Sequence, residues 1–224
     1  MSASEERAGL AEARSKTWWL LSRFYLERPG VGFLEELRAA FGGPGTTPGA
    51  ADTDEDMEIL RADLAGDLDG LSGRLLMEYT RLFRGIQDQL GPPPPFESIY
   101  RGQDLMGDLT LAVLHRYQAA GFAEIEPEAG PQDHLGTELR FLALLCFREA
   151  ESWRLGEEDA AQQRIAQACA FLDEHLLVWL PGYAGRIARE SREPFYAAAA
   201  RLTLDHAEVV RAALDALEDD LEAA

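Results

Sequence analysis

At 224 residues the chain is long enough for one domain with a substantial core, and 46% apolar with 27% charged residues excludes wholesale disorder. The 40 acidic residues against 21 basic ones give a formal net charge of −19, which argues against nucleic acid and anionic membrane as partners, since both are held by clustered Lys and Arg. The acidity reads either as solubility and salt adaptation or as attraction for a cationic ligand. Lys16 is the only lysine, which a GC-rich coding sequence explains without invoking any use of arginine. Residues 1–14 include Glu5, Glu6 and Glu12, unlike an export signal, and no apolar run is long enough to span a bilayer. A cytoplasmic protein without membrane insertion is therefore expected. Cys146 and Cys169 form no CxxC unit and read as reduced, buried thiols.

In chain order, residues 5–27 place Leu10, Thr17, Leu20, Leu21 and Phe24 at helical spacing, and Pro29-Gly30 ends the run. A short helix over 31–41 follows. The Gly- and Pro-rich segment 42–51 predicts a mobile surface loop, with Asp52 and Glu55 spaced as a capping box for an acidic helix over 53–68. Another helix is expected over 72–84, carrying Tyr79, Leu82 and Phe83 toward Gly85. Four consecutive prolines, Pro92 to Pro95, then make the loop before Phe96-Glu97-Ser98-Ile99-Tyr100 stiff and extended.

Beyond the loop, a helix over 104–120 turns Leu105, Leu109, Val113 and Tyr117 inward and stops at Gly121. Pro131-Gln132-Asp133-His134 leads into a long helix with Leu135, Leu139, Leu142 and Cys146 on its buried side. Helices over 157–175 and 194–218 flank a corner at 179–183, with Pro194 suited to a first helical turn. No useful alternating pattern exists. The fold class read from the sequence is all-α: a single-domain bundle of about eight to ten helices spanning 1–224, with a Pro-rich loop near 91–100.

Most enzyme chemistries find no motif here. There is no GxxxxGK[ST] phosphate loop, GxSxG elbow, HExxH helix or CxxC pair, and none of the four histidines is preceded by Glu at the di-iron spacing. One constellation stands out: Asp133 and His134 with Glu138 one helical turn on. It would serve as a metal site or base, or else Asp133 caps the helix, Glu138 complements its positive end, and His134 is a satisfied polar residue. The second reading needs no further ligand. His115, His175 and His206 read as surface or packing residues. Ser98 reads as a turn residue, having no local base or oxyanion hole. Glu97, between Phe96 and Tyr100, offers an anion framed by apolar surface, which suits a ligand both cationic and greasy.

The run Tyr79-x-x-Leu82-Phe83-x-Gly85, then Pro95-Phe96-Glu97-Ser98-x-Tyr100, then Pro131-x-Asp133-His134-Leu135-Gly136-x-Glu138-Leu139 resembles the signature of the TorD/DmsD family of redox-enzyme maturation chaperones. His175-Leu176-x-x-Trp179 and Glu193-Pro194-Phe195-Tyr196 are similar to that family's last third. The resemblance implies an all-helical cytoplasmic chaperone without enzymatic activity or cofactor. Its partners would be the twin-arginine signal peptide and the body of a molybdopterin oxidoreductase precursor. By motif, peptide-binding positions would be Tyr79, Leu82, Phe83, Pro95, Phe96, Glu97, Ser98, Tyr100, Asp133, His134 and Glu138. Tyr79 and Phe96 stand where the family often has Trp, so aromatic character is kept without the indole donors. The sequence leaves open a monomer and a helix-swapped homodimer. It also leaves a small metal-dependent enzyme using Asp133, His134 and Glu138, and a nitrate-reductase-type assembly factor without signal-peptide recognition.

Overall fold

The computed structural model describes residues 2–41, 53–84 and 91–222. The loop over 42–51, Asp52 of the expected capping box, and Gly85 lie outside the described residues. Regular structure within them is helical: α1 (Ala3–Leu26), α2 (Val31–Phe41), α3 (Thr53–Ala65), α4 (Leu68–Phe83), the single turn α5 (Glu97–Tyr100), α6 (Asp108–Ala119), α7 (Leu135–Leu155), α8 (Glu158–Phe171), α9 (Leu177–Glu190) and α10 (Pro194–Glu222). A 3₁₀ turn covers Pro127–Ala129, and a π-helical turn, Leu172–Leu176, leads from α8 into α9. The fold is all-α, as the helical periodicity predicts.

The chain divides into two compact units. The first comprises Met1–Arg23, Phe96–Trp179 and Ala207–Ala224. Its principal helix is α7, buried on every face from Leu135 to Ala143. Leu135, Leu139, Leu142 and Cys146 face inward as their spacing predicts, and α8 packs along α7. Tyr117, Phe141 and Phe171 form an aromatic cluster with centroids 4.5 to 6.0 Å apart. A buried ion pair also lies here: Arg14 Nη2 donates to both oxygens of Glu149 at 2.7 and 2.9 Å, and Trp153 Nε1 donates to Glu149 at 3.2 Å. Burying a carboxylate is tolerated where this many donors compensate it.

The second unit comprises Phe24–Pro95 and Leu180–His206. Phe24 packs on Phe33, Phe41 and Phe195, and Phe83 packs on Tyr25, Tyr79 and Tyr196. Tyr25 exchanges a hydrogen bond with Thr203 at 2.8 Å, and Arg201 pairs with both oxygens of the buried Asp56. Gly91 reflects a close approach: a Cβ there would lie 2.3 Å from the Arg81 carbonyl oxygen, so any side chain would displace the backbone. Cys146 and Cys169, both in the first unit, are free and buried, and burial pushes each thiol up to about 12.

Several boundaries differ from the sequence reading. In α1, Leu21 and Phe24 are buried as their spacing predicts, together with Ala8, Ala11, Trp18, Ser22 and Tyr25, while Leu10 is 58% exposed. Near the start of the helix the small Ala8 and Ala11, rather than the larger Leu10, face the interior. Helix α4 begins four residues earlier than expected because Asp67 caps it, accepting from the Asp69 and Gly70 amides at 3.1 and 3.2 Å. Helix α6 begins at Asp108, so Leu105 precedes it and is exposed. The expected corner at 179–183 is helical: α9 runs through Pro181 and Gly182. The missing proline N–H there removes only the first hydrogen bond of the α9 ladder, and the π-turn just before it already shifts the register. Pro194 does open α10, and Gly121, with φ of +83°, does follow α6.

Helix α7 stops at Gly156, whose φ of +72° is left-handed and whose N–H bonds back to Ser152 and Trp153. A Cβ there would meet nothing within 4 Å. Gly156→Ala should therefore lose about 1 kcal/mol, purely from backbone conformation, measurable as a lowered urea midpoint with an unchanged slope.

Candidate functional site

The segment entering α7 pairs with the segment entering α5. Phe96 and His134 form an isolated antiparallel bridge, and the Glu97 amide donates to the Asp133 carbonyl at 2.9 Å. The Phe96 and His134 rings meet edge to face, centroids 5.1 Å apart. Both residues have extended backbone, φ −113°, ψ 132° for Phe96 and φ −74°, ψ 133° for His134, which is the conformation of a helix N-cap. Pro95 fixes its own φ and holds Pro94 extended on the approach to Phe96, whereas Pro131 opens a turn closed by the His134 amide at 3.2 Å.

His134, rather than Asp133, caps α7. Its Nδ1 accepts from the Gly136 amide at 3.1 Å, which requires that nitrogen to be unprotonated. Asp133 is fully buried and turns the other way: Oδ2 accepts from the Ser98 amide at 3.0 Å and Oδ1 from the Thr110 hydroxyl at 2.9 Å. The aspartate thus caps the α5 turn and ties it to α6. The preceding Gln132 is clamped as well, its carbonyl accepting from the Tyr117 hydroxyl and its Oε1 from the Ile125 amide.

Glu97 is completely buried, and Glu138 lies against it as well as the two partners that follow. Oε2 contacts His175 Nδ1 at 2.9 Å, and Oε1 accepts from Arg101 Nη1 at 2.6 Å. The His175 ring stacks on Phe171 from within the π-turn. Glu138, also fully buried, accepts from Trp179 Nε1 at 3.2 Å through Oε2, while Oε1 has no hydrogen-bond partner. Burial, and then the charges of Glu97 and Asp133, hold the Glu138 carboxyl well above its ordinary value, with the Trp179 donor opposing only in part. Glu138 therefore keeps its proton well above the usual carboxylate range. Tyr117 is raised as well, chiefly by burial and then by Glu138 and Asp133.

The first unit therefore brings together Phe96, Glu97, Ser98, Tyr100, Asp133, His134 and Glu138 of the expected binding positions. Phe96 and Tyr100 are partly exposed, and the Tyr100 ring lies 5.5 Å from Trp179. Tyr79, Leu82, Phe83 and Pro95 belong to the second unit and are buried there. Tyr79 donates to the Tyr25 carbonyl at 2.9 Å, and neighbouring Glu78 takes a bidentate bond from Arg81 and the Arg192 amide.

Four participants were missed from the sequence. His175 read as a packing residue, and Trp179 as part of an expected corner; their i, i+4 spacing on one helical face was the available signal. Arg101 stands at i+4 from Glu97, a pairing that only the existence of the α5 turn reveals. Thr110 gave no signal. As a metal centre the Asp133, His134 and Glu138 constellation gains no support. Their donors face the α5 and α6 segments, the α7 amide and Trp179 respectively, and among the described residues no group of three or more His, Cys, Asp or Glu is disposed to hold an ion. No helix among them is long and apolar enough to cross a membrane.

An entirely helical fold whose central carboxylates anchor a short proline-led turn to a long helix defines a class of all-α protein built around buried polar ties. Over residues 50–184, more than half its length, the chain matches the family described as nitrate reductase delta subunit, and it belongs to that TorD-type family. It is 32% identical over 126 residues to the chaperone protein TorD of Vibrio cholerae, covering 55% of each chain. It is 38% identical over 104 residues to the selenate reductase assembly chaperone protein of Thauera selenatis, covering 45% of this chain and 52% of that one. The chain thus spans about half the length of these relatives. A TorD chaperone from Vibrio parahaemolyticus aligns over 89% of this chain and 94% of its own, at 24% identity.

Proposed function

We propose that this protein is a cytoplasmic maturation chaperone. In this reading it binds the twin-arginine signal peptide and the unassembled body of a molybdopterin-containing oxidoreductase, aiding cofactor insertion and delaying export, and performs no reaction of its own. The names of its relatives, chaperones of TorD type and of selenate and chlorate reductase assembly, support the class of partner. The observation that carries the ligand reading is Glu97: a wholly buried carboxylate beside partly exposed Phe96 and Tyr100, with one oxygen already engaged by a guanidinium. Charge-assisted bonds of this kind contribute about 1.5 to 3 kcal/mol where water is excluded.

Phe96, Tyr100 and Glu97 are the contact residues of this reading. Ser98, Asp133, His134 and Glu138 hold the turn that presents them, and Tyr79, Leu82, Phe83 and Pro95 are buried within their own unit. The family's description favours a second reading, assembly of a nitrate-reductase-type subunit without signal recognition. Titration with a twin-arginine signal peptide separates the two. Binding with a dissociation constant on the order of micromolar, weakened in a twin-lysine peptide, is expected. Equal affinity for both peptides, or none for either, would remove the signal-peptide reading. Phe96→Ala should weaken binding with little change in melting, since its ring is partly exposed.

A further inference from the structure

We propose that Arg101 is a displaceable in-chain occupant of a guanidinium site formed by Glu97 and the Glu174 carbonyl, and that an arginine of the client takes its place. The inference rests on the reading of this protein as a receptor for an arginine-bearing segment, and identifies what such a residue must displace.

The site is defined by what it already holds. Arg101 Nη1 donates to Glu97 Oε1 at 2.6 Å and to the Glu174 carbonyl at 3.2 Å, so the α5 turn and the π-turn each supply one acceptor. The carboxylate is entirely buried, whereas the Arg101 side chain is 31% exposed. The cation thus reaches inward from the surface, and a second guanidinium arriving from solvent would compete for the same position.

The neighbouring acidic groups leave Glu97 as the place for a cation. Asp133 faces inward to Ser98 and Thr110, and Glu138 faces Trp179. The remaining Glu97 oxygen is held by His175. On the outer side, the Glu174 carboxylate pairs with Arg116, which leaves its carbonyl to Arg101. The outward oxygen of the buried Glu97 and that carbonyl are both served by the partly exposed Arg101 side chain.

Arg101 is also placed to leave. It follows the last residue of a four-residue turn, with φ of −92° and ψ of 9°, and precedes Gly102, whose φ is +70°. Removing it alone would strand a buried carboxylate, which is strongly unfavourable. Exchange for another guanidinium restores the same two acceptors, so the swap is nearly balanced and client affinity is set by the remaining contacts. Such competition lowers apparent affinity by the fraction of molecules in which the site is closed.

Arg101→Ala should accordingly bind a twin-arginine peptide at least about tenfold more tightly than the native protein, and a twin-lysine peptide should gain less because an ammonium lacks the planar fork. Methylguanidinium at millimolar concentration should raise the melting temperature of Arg101→Ala in a saturable way, leave the native protein unchanged, and exceed the effect of methylammonium. If the native protein binds the peptide and Arg101→Ala binds it equally or less well, the displacement proposal is overturned and the chaperone reading stands. If neither binds the peptide, the signal-peptide reading falls, and absence of saturable methylguanidinium rescue then removes the guanidinium site too. Arg101→Met, which keeps an apolar stem over the turn, serves both measurements if the alanine variant fails to fold.

Discussion

Asp133→Ala is expected to destabilise the protein by about 3 kcal/mol, because it orphans two buried donors at once. Asp133 is fully buried and accepts from the Ser98 amide and the Thr110 hydroxyl. Each donor left without a partner costs about 1 to 3 kcal/mol. For a chain of this length such a loss lowers the melting temperature by about 6 to 12 °C. Asn at this position retains one acceptor oxygen and should lie between the native protein and the alanine variant. Thermal and urea unfolding check the result; a loss below about 1 kcal/mol for Asp133→Ala would show that the α5 turn does not depend on this cap. Reduced peptide binding by this variant would by itself say little about direct contact, since the turn carrying Glu97 is what Asp133 holds.

Glu138→Gln is expected to stabilise the protein at neutral pH and to flatten its pH dependence. Burial and the charges of Glu97 and Asp133 keep the native Glu138 carboxyl protonated well above its ordinary value of 4.5. Below that value both folded and unfolded chains carry the proton, and the contribution to stability is complete. Above it the unfolded chain releases the proton while the folded chain keeps it, so stability falls by about 1.4 kcal/mol per pH unit until the folded group ionises. Glutamine mimics the neutral acid, can still accept from Trp179, and has no proton to lose. The advantage of the variant should therefore grow from about pH 4.5 upward and then level off. Urea unfolding of both proteins across about pH 4.5 to 8 reads this directly, and parallel curves would show that Glu138 is ionised in the native state.

The contrast between these two carboxyls shows where sequence reading stops. Asp133 and Glu138 were both selected as residues of one cluster, because one precedes α7 and the other follows about one turn later. Their roles came out exchanged with those of their neighbours. Asp133 lies just before a helix, where a cap is the natural inference, yet its partners are 35 and 23 residues away, and His134 takes over the cap. Glu138 looked like a complement to the positive end of the helix, but α7 is buried all round at that point and its carboxyl is held by Trp179. Glu97 offered the same difficulty: Arg101 is four residues away, while His175 is 78 away and was set aside as packing.

What the sequence determined by itself is what depends on neighbours within a turn or two. Apolar spacing of three and four marks the helices and the inner face of α7, and glycines and prolines mark their ends. The order of short motifs along the chain was enough to point to the family. Tertiary structure decided which carboxyl holds its proton and which is a cap. Those properties arise from burial and from donors brought in from distant segments, and both are set by how the helices pack rather than by the period of any one of them. The proline loop belongs to both levels: its stiffness is written in Pro92 to Pro95, while the pairing of Phe96 with His134 that it leads into exists only in the folded chain.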